Sequence, residues 1–199
     1  MAQAFGPDEE LRLFFALPLD RQLREAAVQA QRQVDGAGAK IKWVEPENLH
    51  FTLKFLGPTP GRAVPDLARV AGQMAQCQAP FAITVGGVGA FPRPDDVRVL
   101  WLGCRAGADN LTALALNVER ALVTSGLAPR DKKPFRAHLT IGRNKSRHRA
   151  AQLARAIGEA ADMHIGDMQV TGFALVRSQL TPAGPVYTVL EQFALDAPL

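Results

Sequence analysis

Two short apolar strands carry the same polar signature, and no other pattern in this chain restricts its fold as tightly. They are His50-Phe51-Thr52-Leu53 and His138-Leu139-Thr140-Ile141. Side chains alternate faces along a strand, so residues i and i+2 share one face. His50 and Thr52 are expected on one side, with Phe51 and Leu53 packed on the other; His138 and Thr140 repeat this over Leu139 and Ile141. One such imidazole-hydroxyl pair is readily explained as a strand histidine hydrogen-bonded in place. Two of them, each inside an apolar run, ask for a fold that faces both strands onto one cleft. The other histidines lack the pattern, since His148 is followed by Arg149-Ala150 and His164 by Ile165-Gly166.

The rest of the chain reads as a mixture of strands and helices. Arg12–Pro18 is a short apolar run ended by proline, and Asp20 is placed to cap a helix reaching about Val34, with Leu23, Ala26, Ala27, Ala30 and Val34 at helical spacing. Gly36 and Gly38 break the chain. Lys42–Val44 opens a strand, and Leu49–Leu56 is another, expected to end at Gly57-Pro58. Pro65 suits the first turn of a helix running to about Gln76. Phe81–Val85 and Val97–Leu102 read as strands joined by a Gly/Pro-rich connector. Then come a helix over Leu111–Leu122 capped by Asp109 and stopped near Gly126, a strand over Arg136–Ile141 and a helix from about Ala150 to Ala161. Met168–Val176 and Val186–Leu195 close the chain as strands. Strict β-α-β alternation is missing, which favours an α+β fold with largely antiparallel sheets. No linker divides the 199 residues, so they are read as one domain.

Charge narrows the partners. The formal net charge is +4 with a pI near 9.4, a mild excess that suits an anionic ligand. It is concentrated in Arg130, Lys132, Lys133, Arg136, Arg143, Lys145, Arg147 and Arg149, with Asp131 the one acid among them. Cys77 and Cys104 form no metal-like spacing, and a reducing cytoplasm is the simplest setting. Met1–Glu10 carries acids and no basic segment, unlike a signal peptide. The uncharged stretch Ala71–Pro92 is broken by Gln, Gly and Pro, so no membrane span is expected.

The paired histidines fit one kind of chemistry well. Opening a cyclic phosphodiester needs a base to take a proton from water and an acid to protonate the departing oxygen. An unperturbed pKa of roughly 6.5 lets one imidazole stay neutral while another is protonated. Each positioned proton transfer is worth on the order of 10²–10⁴ in rate. Threonine hydroxyls can donate to non-bridging oxygens where charge builds, and Arg143, five residues after His138, can add a charge-assisted bond. The acids near the motifs, Glu45, Glu47 and Asp131, stand in no ligand-like spacing, so neither a metal nor another cofactor is expected.

The two H-x-T-x motifs resemble those of the 2H phosphoesterase superfamily. Arg12–Leu19, Trp43–Gly57, Phe135–Arg143 and Ser178–Leu195 narrow the resemblance to the bacterial and archaeal RNA 2′,3′-cyclic phosphodiesterases, once named 2′–5′ RNA ligases. That resemblance implies two similar lobes, each an antiparallel sheet with flanking helices, and an active-site groove between them. It implies an RNA end bearing a 2′,3′-cyclic phosphate as substrate and a 2′-phosphate as product. His50 would protonate the leaving O3′ and His138 would be the base for water; the residues alone do not distinguish donor from acceptor. Thr52, Thr140 and Arg143 would hold the phosphate, and Phe55 would stack on a base, although its parity with Phe51 and Leu53 equally suits the core. Ala137 stands where the family usually has proline. Nothing demands a partner chain, so a monomer is expected. Two alternatives stay open: ATP-independent 2′–5′ joining of tRNA halves at the same site, and a non-catalytic module that binds RNA ends. No G-x-x-x-x-G-K-[ST] loop occurs, which argues against ATP-driven ligation.

Overall fold

A computed structural model describes residues 5–35, 37–146, 148–182 and 184–197. Gly36 and Arg147, singled out above as a chain break and a member of the basic cluster, lie outside the described residues, as do Met1–Ala4. The described strands are β1 (Glu10–Pro18), β2 (Ile41–Trp43), β3 (His50–Pro60), β4 (Phe81–Arg93), β5 (Asp96–Ala106), β6 (His138–Asn144), β7 (His164–Val170), β8 (Gly172–Leu180) and β9 (Pro185–Ala194). The helices are α1 (Arg21–Asp35), α2 (Val64–Ala75), α3 (Ala108–Thr124) and α4 (Ala150–Glu159).

All strand pairings are antiparallel, and the sheet order is β7-β4-β5-β6-β3-β1-β8-β9, with β2 pairing β6. The α+β architecture is therefore one curled sheet made of two similar lobes, β6-β5-β4-β7 and β3-β1-β8-β9. They meet at the β3/β6 seam, where Phe51 pairs with Leu139. The lobes are not sequence halves. α1, from the first half, packs on β7 and β6, whereas α3 packs on β3.

One face of the sheet is covered by helices. Leu13, Phe15, Phe51, Leu53, Leu100, Leu102, Leu139 and Ile141 are buried there against Leu23, Leu67, Leu111, Leu114 and Leu153. Among the described residues, the opposite face buries a smaller apolar cluster of Phe14, Ala16, Ala174 and Val176 with Tyr187 against it, and this is where the cleft lies. Asp20 caps α1 as expected, its Oδ1 accepting from the Leu23 amide at 2.7 Å, a bond worth about 1 kcal/mol. Gln31 is buried on the same helix and donates to the carbonyls of Val44 (2.8 Å) and Ile141 (2.9 Å). It thereby stitches α1 to the strand carrying the second motif.

Several elements depart from the sequence expectation. β3 does not end at Gly57-Pro58; Gly57 takes a φ of 75° and pairing with β1 continues to Glu10↔Pro60. The Gly/Pro-rich connector after Val85 is itself strand, because β4 and β5 form one long hairpin turning at Pro94-Asp95. Gly89 is needed there: a Cβ would meet the Trp101 ring at 2.2 Å. Asp109 does not cap α3; Gly107, at φ 72°, holds that position and Asp109 sits in the first turn. Met168–Val176 is two strands, since the chain leaves β7 at one sheet edge and enters β8 in the other lobe at Gly172. Among the described residues, no helix is long and apolar enough to cross a membrane.

Candidate active site

The seam dictates the arrangement of the motifs. Phe51 and Leu139, the central residues of the two signatures, face each other and are fully buried. Their neighbours on either side must point the other way, and the antiparallel direction sets His50 toward Thr140 and Thr52 toward His138. All four side chains line one open cleft of about 610 Å³. Arg143 and Phe55 line the same cleft, so the structure brings every sequence-predicted site residue to one place.

Phe55 and Arg143 reach it by the same device. Along β3, Thr52 pairs with Ala16 but Lys54 pairs with Phe15, leaving Leu53 as an extra residue. Along β6, Thr140 pairs with Trp101 but Gly142 pairs with Leu100, leaving Ile141 as an extra residue. A β-bulge shifts the alternation by one. Phe55 is therefore 47% exposed on the cleft face rather than buried beside Phe51 and Leu53, which overturns the reading of Phe55 as core.

The imidazoles are held alike. His50 Nδ1 bonds the Asn48 carbonyl at 2.7 Å, and His138 Nδ1 bonds the Arg136 carbonyl at 2.7 Å. A carbonyl only accepts, so Nδ1 carries the proton in both rings and Nε2 is left for chemistry. Nε2 of His50 lies 3.0 Å from Thr52 Oγ1. The His50 ring is wedged between Phe14 (centroids 4.9 Å) and the edge of Tyr187 (5.3 Å), while Phe91 meets His138 edge-on at 5.1 Å. Burial is the main cause that pushes the His50 pKa below its ordinary value; the Asn48 carbonyl opposes this, and the charge of His138 adds a smaller lowering.

Sequence reasoning missed several residues of this cleft. Phe14 and Tyr187 clamp His50, and Arg12 places its guanidinium 4.6 Å above the centre of the Phe55 ring. Asn48 both orients His50 and donates to the Pro185 carbonyl at 3.1 Å, tying the β8–β9 turn to the first motif. The i+2 parity of Arg12 with Phe14 and the sequence Gly184-Pro185-Val186-Tyr187 were the available signals. Glu45 and Glu47 also line the cleft, but among the described residues no three His, Cys, Asp or Glu side chains are grouped to hold a metal ion.

Comparison with known proteins agrees with this architecture. The family model described as LigT like Phosphoesterase matches twice, over residues 17–101 and 102–187. A Methanothermobacter thermautotrophicus protein named RNA 2′,3′-cyclic phosphodiesterase is 39% identical over 186 residues, covering 94% of this chain and 100% of that protein. A protein of the same name from Aquifex aeolicus is 36% identical over 93% of this chain and 97% of its own length. Among solved structures, E. coli LigT complexed with 3′-AMP superimposes with a TM-score of 0.74 at 28% identity, covering 94% of this chain and 99% of that one. The two matches of the family model divide the chain between the two H-x-T-x strands, one to each repeat. The chain belongs to the LigT-like phosphoesterase family.

Proposed function

We propose that this protein is an RNA 2′,3′-cyclic phosphodiesterase that opens the cyclic end to a 2′-phosphate by acid–base catalysis between His50 and His138. The observation that carries the reading is that both imidazoles turn Nδ1 to their own backbone and keep Nε2 for one shared cleft. The relatives that share this chain's length bear that activity in their names.

In this reading the cyclic phosphate lies between the two histidines. His138 Nε2 takes a proton from a water molecule, the water oxygen attacks phosphorus, and the P–O3′ bond breaks as His50 Nε2–H protonates O3′. Thr52, Thr140 and Arg143 donate to the non-bridging oxygens, where charge accumulates. Burial disfavours the protonated His50 that a donor requires, but the negative charge of the bound phosphate opposes that penalty. Substrate binding itself thus prepares the acid. Phe55 supplies an aromatic face for the terminal base. Every group named is in one chain, which supports a monomer, and the two free cysteines suit a reducing cytoplasm.

The test is to incubate the purified protein, with EDTA present, with a short RNA ending in a 2′,3′-cyclic phosphate and to resolve the product isomers. The expected product is the 2′-phosphate. A 3′-phosphate would overturn the assignment of leaving oxygen, and an unchanged RNA that is nevertheless bound would favour a non-catalytic end-binding module.

A further inference from the structure

Among the described residues the cleft holds two guanidinium groups, and the chemistry above uses only one. Arg12 is exposed on β1 and, among the described residues, no carboxylate bonds it. Its guanidinium lies over Phe55, 4.6 Å from the ring centre. Arg143 and Arg12 both act on the Tyr187 phenol, each easing the upward push that burial gives its pKa. The phenol whose ring edge touches His50 therefore sits in the field of both cations.

The near-symmetry of the lobes sharpens the contrast. Five residues after His138 the bulge presents Arg143; five residues after His50 the matching bulge presents Phe55. The first lobe has an aromatic ring where the second has a cation, and a neighbouring strand lays Arg12 on that ring. The first lobe thus offers the cleft a flat surface with a cation on it, which suits a flat group next to an anion.

A terminal nucleotide presents those groups together. The 2′,3′ edge of its ribose carries the cyclic phosphate, while the base and the 5′-phosphodiester leave from the other side of the sugar. Register places Arg12 well beyond the reacting position, since on β1 Pro18 is opposite His50 and Arg12 is opposite Pro58. Resting on the proposed phosphodiesterase reading, we infer that Arg12 with Phe55 forms a second subsite. Phe55 stacks on the terminal base, and Arg12, which lies over that ring, binds the internucleotide phosphate just upstream of it. The substrate class is then an oligonucleotide end rather than a cyclic mononucleotide. Aromatic rings are standard stacking surfaces for splayed bases, and Arg to phosphate is a strong charge-assisted bond.

The experiment compares three substrates: adenosine 2′,3′-cyclic phosphate, the diadenosine ending in the same cyclic phosphate, and that dinucleotide with a neutral methylphosphonate linkage. The intact protein should favour the charged dinucleotide over the neutral one by about tenfold or more in kcat/KM, mainly through KM. Arg12→Gln should erase that preference and leave the mononucleotide within about twofold, whereas Phe55→Leu should weaken all three. Equal losses by Arg12→Gln on every substrate, or none, would overturn the subsite. Affinities for the matching uncyclised 2′-phosphates, with and without the charged linkage, are measured in parallel. If the intact protein turns over none of the cyclic substrates, the phosphodiesterase reading fails. The binding series still decides the subsite: an Arg12-dependent preference for the charged linkage supports it, and equal affinities overturn it.

Discussion

Phe55 and Arg143 hold equivalent positions in the two lobes, each five residues after a motif histidine and each turned into the cleft by a one-residue bulge. In unbroken strands a residue at that odd spacing faces away from its histidine. The bulges at Leu53 and Ile141 are thus what convert two H-x-T-x signatures into a cleft with a cation at one end and an aromatic ring at the other. Bulges next to active sites commonly re-aim a side chain in this way.

The threonines are expected to act on the bound phosphate. Thr52→Val and Thr140→Val should each lower kcat by about 10²–10³-fold while leaving the fold intact, in line with removal of one oxyanion donor. Serine at either position should restore most of the loss, because it keeps the hydroxyl. A valine variant with full activity in a single-turnover assay would remove that threonine from the site.

His50 should titrate below an ordinary histidine, about 6.5, with its burial between Phe14 and Tyr187 as the main cause. An NMR titration should show this midpoint moving upward when inorganic phosphate is added. The sign for stability follows from linkage. Between the lowered folded pKa and the unfolded value the unfolded chain binds more protons. This histidine's contribution to stability therefore falls as pH drops below about 6.5 and levels off beneath the folded pKa. Replacing His50 by Gln should flatten that part of the pH–stability curve; an unchanged curve would contradict the assigned burial cost.

Lys54 follows the first motif directly and is only 2% exposed. Its Nζ lies 2.6 Å from Asp131 Oδ1 and 3.4 Å from Glu119 Oε1, and donates to the Pro129 carbonyl at 2.9 Å. It fastens the segment that leads into His138. Removing both acids strands a buried ammonium, so Glu119→Ala with Asp131→Ala should destabilise by about 3–5 kcal/mol. Lys54→Met should be milder, because the partly exposed acids can rehydrate. Urea unfolding midpoints check the order, and a larger loss for Lys54→Met would reverse this account.

Two glycines should respond in opposite directions. At Gly89 a Cβ would meet Trp101 at 2.2 Å. Trp101 packs 5.3 Å from Phe91, which in turn meets His138 at 5.1 Å. Gly89→Ala should therefore lose about 1–3 kcal/mol and reduce turnover. Gly158, inside α4, has nothing within 4 Å of a Cβ. Gly158→Ala should gain about 0.5–1 kcal/mol with activity unchanged. Thermal melts with parallel rate measurements test both.

What was legible in the sequence was local and periodic. The faces of His50-Phe51-Thr52 and His138-Leu139-Thr140 followed from strand alternation, and Asp20 marked the start of α1. What escaped depended on neighbours. The exposure of Phe55 follows from the register between β3 and β1, which no run of letters records. The glycines of β4 read as a connector, yet Gly89 is where the Trp101 ring lies flat on the strand. Gly172, where β8 starts, lies close against β9: a Cβ there would sit 2.6 Å from the Phe193 carbonyl. Lys54 sits in the interior because charges far along the chain fold over it.

The most direct measurement is single-turnover cleavage of an RNA 2′,3′-cyclic phosphate by the intact protein, His50→Gln, His138→Gln and the double variant, with EDTA present. If the histidines work as one acid–base pair, each single change should lower the rate by about 10²–10⁴. The double change should then add much less than the product of the two. Near-normal turnover in either single variant, with the protein folded and RNA still bound, would contradict a two-histidine mechanism.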